Sequence, residues 1–532
     1  MNYDVIVVGA GPAGLAAALR LATRSSLRVC VLEKAARVGG HLLSGALLDP
    51  ADLAAVVSDW PPPDPPPLGP HVTQDALYGF TPRHAFPLPR LWSNHGCRLV
   101  ALGGLCRWMA GLAEAAGAEI YPGVTAAGLL WNGDRLEGVV TGDMGRDAQG
   151  RPRPEFQPGM VIRAPLTLLA EGCRGHLGRE AIRRLRLDEG RPPQTYALGF
   201  KELWELPPDP GHPPGAILHT LGWPLDRATH GGGFFYRFSE RQAALGWIVG
   251  LDYRHPSMEP LRAFQAWKTH PMLRALLREG RPVGFGARTL VEGGWQAMPR
   301  PVFAGGMLVG DDAGFLDAAR LKGIGNAMRS GLAAADAAMI AFGQGDFSAD
   351  GLKSYPAALP DAPWGRRRMA VRNVRPGFRP GLWIGLINAA WERLTQGRSP
   401  WTWRWREADR AAMRRIGAQP PLPPLPPSDG RHAFERSHLL ALSALTHRAD
   451  QPAHLVVADP ALAVEQGRML YANPETRYCP AGVFRIVTVP EVALRMQTGD
   501  CLHCKCCDIK DPLHNIRWTP PEGGSGPDYG EM

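Results

Sequence analysis

The chain opens "MNYDVIVVGAGPAGLAAALRLATRSSLRVCVLEK", and these 34 residues constrain the fold more than anything that follows. An apolar strand over Val5 to Val8 runs into Gly9-Ala10-Gly11-Pro12-Ala13-Gly14. An alanine- and leucine-rich helix comes next, then a second strand from Arg28 to Leu32 that ends in Glu33. Gly9 permits a tight turn, Gly11 lets the backbone approach a pyrophosphate, and Gly14 lets helix and strand lie close. The free N–H groups at the helix start favour phosphate. Glu33 is placed to accept a hydrogen bond from a ribose hydroxyl. Strand, glycines, helix, strand and acid in this order predict a dinucleotide-binding βαβ unit.

Later stretches favour a flavin, FAD, over a nicotinamide. "EKAARVGG" at 33–40 carries the acid on into a second glycine pair, and "LTLLAEGCRGHLGR" at 166–179 reads as an apolar strand with an arginine-bearing turn. "GGMLVGDDAGFLDAARLKGIGNAMRSGLAAADAAMIA" at 305–341 predicts a strand, Gly310-Asp311, a loop and another helix. Asp311 is placed to hold the ribitol chain; capping a helix is the other role open to it. Gly323 and Gly325 would bring a helix N-terminus to the flavin ring, where its dipole stabilises a reduced, anionic flavin. This set resembles the glutathione-reductase-like flavoproteins.

The tail has another character. Four of the nine cysteines fall in "CLHCKCCDIKDP" at 501–512. The spacing Cys501-x-x-Cys504-x-x-Cys507 is that of an iron–sulfur ferredoxin, and the upstream Cys479-Pro480 supplies the fourth thiolate. These four are the expected ligands of one [4Fe-4S] cluster, and Cys506 breaks the spacing. A four-cysteine zinc site is the alternative, although zinc more often joins two Cys-x-x-Cys knuckles. His503 and His514 are expected at the surface or behind the ligands. The other five cysteines are scattered.

A flavin front and a ferredoxin-like tail together resemble the electron transfer flavoprotein–ubiquinone oxidoreductase family. "HLLSGALLDP", "LAEGCRGHL", "FKELWEL", "GWPLDRATHGGGFFY", "VGLDYRHP", "KTHPMLR", "DQPAHL", "CPAGVFRIV" and the closing block from Cys501 carry the resemblance nearly end to end. It implies one FAD, one [4Fe-4S] cluster and a ubiquinone site, with electrons arriving from reduced electron transfer flavoprotein. By the same resemblance, the backbone at Gly231 and Gly232 meets the quinone; a bulge or turn beside aromatics is the other reading of that stretch. Where the family is expected to carry a "GCSPGF"-like loop, this chain has "GDDAGF".

Quinone reduction takes two electrons, and a flavin with a one-electron cluster can hold two between them. The protein's task is then positioning and tuning of potentials, so no acid–base or nucleophilic residue is expected at the centre. Phe234, Phe235 and Tyr236 would line an apolar quinone pocket or serve as ordinary core.

Ubiquinone lies in lipid, so the chain must touch a bilayer. No apolar run of about 18 residues is long enough to span one. The strand starting at Tyr3 leaves no room for a signal peptide. "GLWIGLINAAWERLTQGRSPWTWRWR" at 381–406 sets five tryptophans and several arginines beside an apolar run, which suits the headgroup zone. "LLSGALLDPADLAAVVSDW" at 42–60 reads as a short apolar helix. A core helix is the alternative for both. A peripheral position on the cytoplasmic face of a bacterial inner membrane is expected. The net charge of +9 fits an anionic surface without requiring one, and no nucleic-acid motif or internal repeat is present.

The expected fold is α/β with α+β. A glutathione-reductase-like FAD domain with a Rossmann βαβ unit spans 1–180 and 301–345, with an inserted quinone-binding domain at 181–300. A helical membrane-surface segment (346–418), a stiff Pro-rich linker (419–430) and a ferredoxin-like [4Fe-4S] domain (431–532) complete it. A geranylgeranyl-reductase-like flavoprotein would share the front and lack the clustered tail. A non-catalytic electron carrier would bind zinc there.

Overall fold

Strands Val5–Val8 and Leu166–Leu169 are buried along their whole length, as a parallel sheet covered on both faces requires. The computed structural model describes residues 1–57, 62–448, 450–489, 491–530 and 532. Its first sheet runs in the order Val302–Phe303, Gly306–Leu308, Leu166–Leu169, Val5–Val8, Val29–Glu33 and Glu119–Pro122. All neighbours are parallel except the first pair. Helix Pro12–Arg24 lies on this sheet and packs against helix Ile324–Gln344. The contact is close because it is built from small residues: a Cβ on Gly331 would collide with the Ala13 carbonyl. The Asn-Gly-Asp turn near 131–140 joins strands Ala126–Asn132 and Arg135–Thr141 in a hairpin.

The second sheet has seven strands in the order Arg281–Val291, Tyr196–Glu205, Gln242–Gly250, Gly231–Arg237, Ala216–Gly222, Gln74–Phe80 and Ala85–Pro87. It is antiparallel except where Ala216–Gly222 meets Gln74–Phe80. The sheet therefore takes in residues 74–87, which the expected boundary at 181 assigned to the flavin part. The reason is an edge: without Gln74–Phe80, strand Ala216–Gly222 would expose a row of unpaired backbone groups.

The tail does not hang free. Strand Leu455–Val457 pairs with Ile516–Trp518, and Phe484–Val487 with Ala493–Met496. Their side chains share one hydrophobic core with Phe200, Leu245 and Trp247 of the second sheet. The Pro-rich stretch 419–430 forms no helix or strand, but it is not a free spacer. Leu422 and Leu425 pack on that same core, and Pro420 O bonds the His255 ring at 3.0 Å.

The two expected membrane stretches part company. In 42–60 a short helix, Pro50–Ala54, is capped by Asp49, and Leu53 and Val56 are buried in the flavin-side core. That stretch faces protein, and its residues 58–60 lie outside the described residues, as does Pro61 of the proline run. Helix Leu382–Leu394 does the opposite. Trp383, Ile384, Ile387, Trp391 and Leu394 are exposed, and Trp401 and Trp405 extend the patch. Among the described residues no helix is long and apolar enough to cross a membrane.

Candidate functional site

Three cavities follow one another through the molecule. The first is a deep cleft at the C-terminal ends of the parallel strands. Gly9, Gly11, Glu33, Gly310, Asp311 and Gly323 all line it. Gly9 turns at φ +107° with a Cβ position 2.5 Å from the Ala170 carbonyl oxygen, while nothing stands within 4 Å of a Cβ on Gly11. That open cradle lies at the start of helix Pro12–Arg24, where backbone N–H groups are free for an anion. Gly14 and Gly325 sit outside the lining. A Cβ would drive Gly14 into the Gly9 carbonyl and Gly325 into the Asp52 carboxylate, so both serve packing.

Glu33 is tied at both oxygens, to Ala10 N at 3.0 Å and Ala35 N at 2.8 Å, which aims its remaining lone pairs. Asp311 caps no helix: Gly323 precedes helix Ile324–Gln344, and the turn Gly310–Asp312 has no side-chain cap. Asp311 Oδ1 is buried with no partner. Burial pushes this carboxyl up to about 6, against the pull of Arg368 and Arg288. A buried acceptor without a donor is costly, and a polyhydroxylated chain supplies the missing hydroxyl. The cradle, the orphaned acceptor and the helix start fit FAD.

Sequence reasoning missed the cleft's cations. Lys34, Arg288 and Lys505 line it from three distant segments. Burial lowers Lys505 to about 7, with Lys34 adding to the effect. Lys34 follows Glu33 and Lys505 sits inside the cysteine run, so both were in view; Arg288 lies mid-strand and carried no local signal.

The second, small cavity belongs to the tail. Cys479, Cys501, Cys504 and Cys507 all line it, each 7% exposed, and Cys506 does too although it is fully buried. Cys479 follows the short helix Glu475–Tyr478, and Cys507 sits in the first turn of Cys506–Lys510. Backbone N–H groups of Ala481, Gly482 and Val483 face the Cys479 sulfur, and those of His503 and Cys506 face Cys501 and Cys504. Burial pushes the Cys504 thiol up to about 12. Such a dry donor set ionises only for a cation that replaces its protons, and the amide donors then stabilise the thiolates. The set fits an iron–sulfur core, and the site is built for one as a whole.

His503 is not at the surface. It is 2% exposed and packs edge-on against His41, His447 and His454. His514 is exposed, as expected. Lys505 and Trp518 line both the cysteine cavity and the cleft. Thr289 Oγ1 donates to Cys504 O at 2.8 Å, and the Tyr529 hydroxyl to Leu502 O at 3.1 Å, so the tail is stitched to the cleft wall.

The third cavity holds Gly231 and Gly232 in its wall. Phe234, Ile248 and Leu321 line both it and the cleft. Of the three aromatics expected here, Phe235 is core and Tyr236 turns to the cleft, its hydroxyl 2.6 Å from His219 Nε2. At the other end the cavity is walled by Leu386 and Ala389 of the exposed helix Leu382–Leu394.

Comparison with known proteins agrees with this layout. A family model described as ETF-QO, ubiquinone-binding, matches residues 196–290. Another, described as electron transfer flavoprotein-ubiquinone oxidoreductase, 4Fe-4S, matches 430–530. An NAD(P)-binding Rossmann-like model matches 7–62. The mitochondrial electron transfer flavoprotein-ubiquinone oxidoreductase of Oryza sativa is 42% identical over 543 residues, covering 100% of this chain and 93% of that protein. Its Homo sapiens counterpart is 39% identical, covering 99% and 89%. Among solved structures, a geranylgeranyl bacteriochlorophyll reductase-like protein from Thermoplasma acidophilum shares the fold at TM-score 0.55 and 21% identity, over 75% of this chain and 90% of that one. A flavin-dependent brominase does so at TM-score 0.51 and 18% identity, over 75% and 94%. With end-to-end identity to named relatives and a tail model that matches its cysteine domain, the chain belongs to the electron transfer flavoprotein–ubiquinone oxidoreductase family.

Proposed function

We propose that this chain takes electrons from reduced electron transfer flavoprotein and delivers them to ubiquinone, with FAD and one [4Fe-4S] cluster as its resident cofactors. The observation that carries the reading is the shared walls. Lys505 and Trp518 stand between the cysteine cavity and the cleft. Phe234, Ile248 and Leu321 stand between the cleft and the third cavity. When bound, the two cofactors supply one- and two-electron redox capacity.

The residues do the rest. Cys479, Cys501, Cys504 and Cys507 would hold the cluster. Gly9, Gly11 and Glu33 would bind the nucleotide, Gly310 and Asp311 the ribitol chain, and Gly323 the ring end, with Gly14 and Gly325 keeping their helices close. Gly231 and Gly232 would present backbone to the quinone. The domain limits follow the same division, with 74–87 joining the quinone side.

The chain sits on the membrane as a peripheral protein, on the cytoplasmic face of a bacterial inner membrane. Support comes from the indoles and aliphatic side chains exposed along Leu382–Leu394, the helix whose Leu386 and Ala389 wall the third cavity. Indole rings favour headgroup depth, and the flanking Arg393, Arg398, Arg404 and Arg406 suit anionic lipid. The test is direct. Anaerobic mixing of reduced electron transfer flavoprotein, catalytic amounts of the loaded protein and a soluble ubiquinone analogue should yield quinol. Failure of a preparation with full iron and flavin content would refute the reading.

A further inference from the structure

Reducing a quinone to a quinol consumes two protons as well as two electrons. The third cavity is walled on one side by Leu386 and Ala389 of the exposed apolar helix, which offer no proton, so the protons must come through its polar wall. Among the described residues that line it, Glu292 alone carries a carboxyl group. Its side chain is fully buried. Arg375 Nε holds Oε2 at 2.6 Å, while Oε1 has no partner in the protein. The other edge of the same guanidinium binds Asp252, Nη2 to Oδ1 at 2.9 Å and Nη1 to Oδ2 at 3.3 Å.

Two carboxylates thus share one guanidinium in a dry site, an excess of negative charge that favours a bound proton. We propose that Glu292 donates protons to the quinone from Oε1, with Arg375 fixing the carboxyl and Asp252 keeping it protonatable. The inference rests on the reading that quinone occupies this cavity. In each transfer the O–H bond of the Glu292 carboxyl breaks and an O–H bond to a quinone oxygen forms. The carboxylate left behind is reprotonated from solvent. Two such transfers, with two electrons from the donor flavoprotein, convert one quinone into one quinol.

The charged surroundings support this assignment. Burial raises the proton affinity of Glu292, Arg375 opposes it, and Asp252 adds to it. Behind the pair stand Asp409 and Lys510, the latter bonded to Asp409 O at 3.2 Å, and Arg379 and His230 act on Asp252. The histidines on the cavity wall are poorer donors. Burial and Arg375 push His230 down to about 3, and burial and Arg90 do the same to His219. Neither holds a spare proton near neutrality.

The test uses the loaded protein as Glu292→Gln and Glu292→Asp. It compares donor-dependent reduction of a soluble ubiquinone analogue with that of ferricenium, a one-electron acceptor that takes no proton. Glu292→Gln should lower kcat for the quinone about a hundredfold with little change in KM. Ferricenium reduction should be spared. Glu292→Asp should recover part of kcat with a displaced pH profile. A kcat for Glu292→Gln within about twofold of the parent, with an unchanged pH profile, overturns the assignment. If Glu292→Gln loses flavin or iron, Glu292→Asp decides, and a parental pH profile there overturns it equally. A Gly232→Val variant separates the two readings: intact quinone turnover there puts the quinone elsewhere and overturns the donor assignment with it, whereas impaired turnover there beside a parental kcat in Glu292→Gln overturns the donor alone.

Discussion

Arg174 grips Asp508 through Nε at 2.8 Å and Nη2 at 2.5 Å, tying the turn after strand Leu166–Leu169 to the helix that carries Cys507. Arg179 adds a third contact at 2.5 Å, and Trp518 N donates to the second carboxylate oxygen at 2.9 Å. Lys505 Nζ reaches back to Arg174 O at 2.6 Å. The seam between the cleft and the cysteine cavity is therefore a polar network with nearly every valence of Asp508 used. Such a seam holds the cleft and the cysteine cavity in fixed register.

Asp508→Asn should loosen that seam. Burial works against the anion, but Arg174 and Arg179 outweigh it, so the folded carboxyl titrates well below the usual carboxylate range. Its stabilisation is full above the unfolded value of about 3.9 and fades as pH falls through the depressed one. Removing one partner of so buried a pair costs about 3–5 kcal/mol. Thermal unfolding at neutral pH should show a lower Tm, with the gap to the parent narrowing in acid. Equal melting curves at neutral pH would show that the network carries no load.

The cysteines should divide four to one. Cys501→Ala is expected to remove bound iron, acid-labile sulfide and donor-dependent turnover while flavin stays bound, because the cleft is built from other segments. Cys506→Ala should keep all three, since it removes a buried side chain rather than a ligand. It should cost only about 1 kcal/mol in stability. Iron analysis of the two variants checks the assignment. Iron retained in the first and lost in the second would exchange their roles.

Lys268 and Glu202 test the second sheet. Both side chains are fully buried, with Nζ at 2.7 and 2.9 Å from the two carboxylate oxygens. Gln265 and Trp204 also donate to the same carboxylate. Burial lowers the Lys268 pKa and Glu202 opposes that shift. Lys268→Met strands a buried carboxylate and should destabilise by about 3–5 kcal/mol, while Lys268→Met with Glu202→Leu should recover much of the loss. Chemical denaturation of both variants reads the difference. A double variant no more stable than the single one would contradict the charge-burial account.

What was legible before the structure is what local chemistry specifies. Gly9, Gly11 and Glu33 reach the cleft through their spacing along one βαβ unit, and Cys501, Cys504 and Cys507 reach one cavity through theirs in one loop, so short windows sufficed to bring them together. Arg288, Thr289 and Glu292 were invisible for the opposite reason. They belong to or follow one antiparallel strand, Arg281–Val291, whose neighbours come from elsewhere in the chain. Arg288 and Thr289 line the cleft, Glu292 enters the third cavity, and Thr289 also meets Cys504. The recruitment of Gln74–Phe80 was hidden likewise, since a strand's partner is decided by what else needs an edge covered. Of the two places expected for His503, the surface and behind the ligands, the structure takes the buried one, and a short window could not choose between them because that burial depends on His41, His447 and His454 arriving from three other segments.

The exposed face of Leu382–Leu394 gives the last prediction. Ile387 is 72% exposed and Leu394 82%, and they follow Trp383 at intervals that keep one helix face. Sinking each aliphatic side chain into lipid gains about 1.5–3 kcal/mol, and a glutamate in its place forfeits that and adds repulsion from anionic headgroups. Ile387→Glu with Leu394→Glu should therefore abolish flotation with vesicles of phosphatidylethanolamine and phosphatidylglycerol. Neither side chain carries folded-state packing of comparable size, so Tm and turnover with a soluble quinone analogue should hold near parental values. Turnover with long-chain ubiquinone embedded in the same vesicles should collapse, because Leu386 and Ala389 of this helix wall the cavity through which that substrate would enter. Unimpaired flotation of the double variant would move the membrane contact to another face and leave the helix without a role.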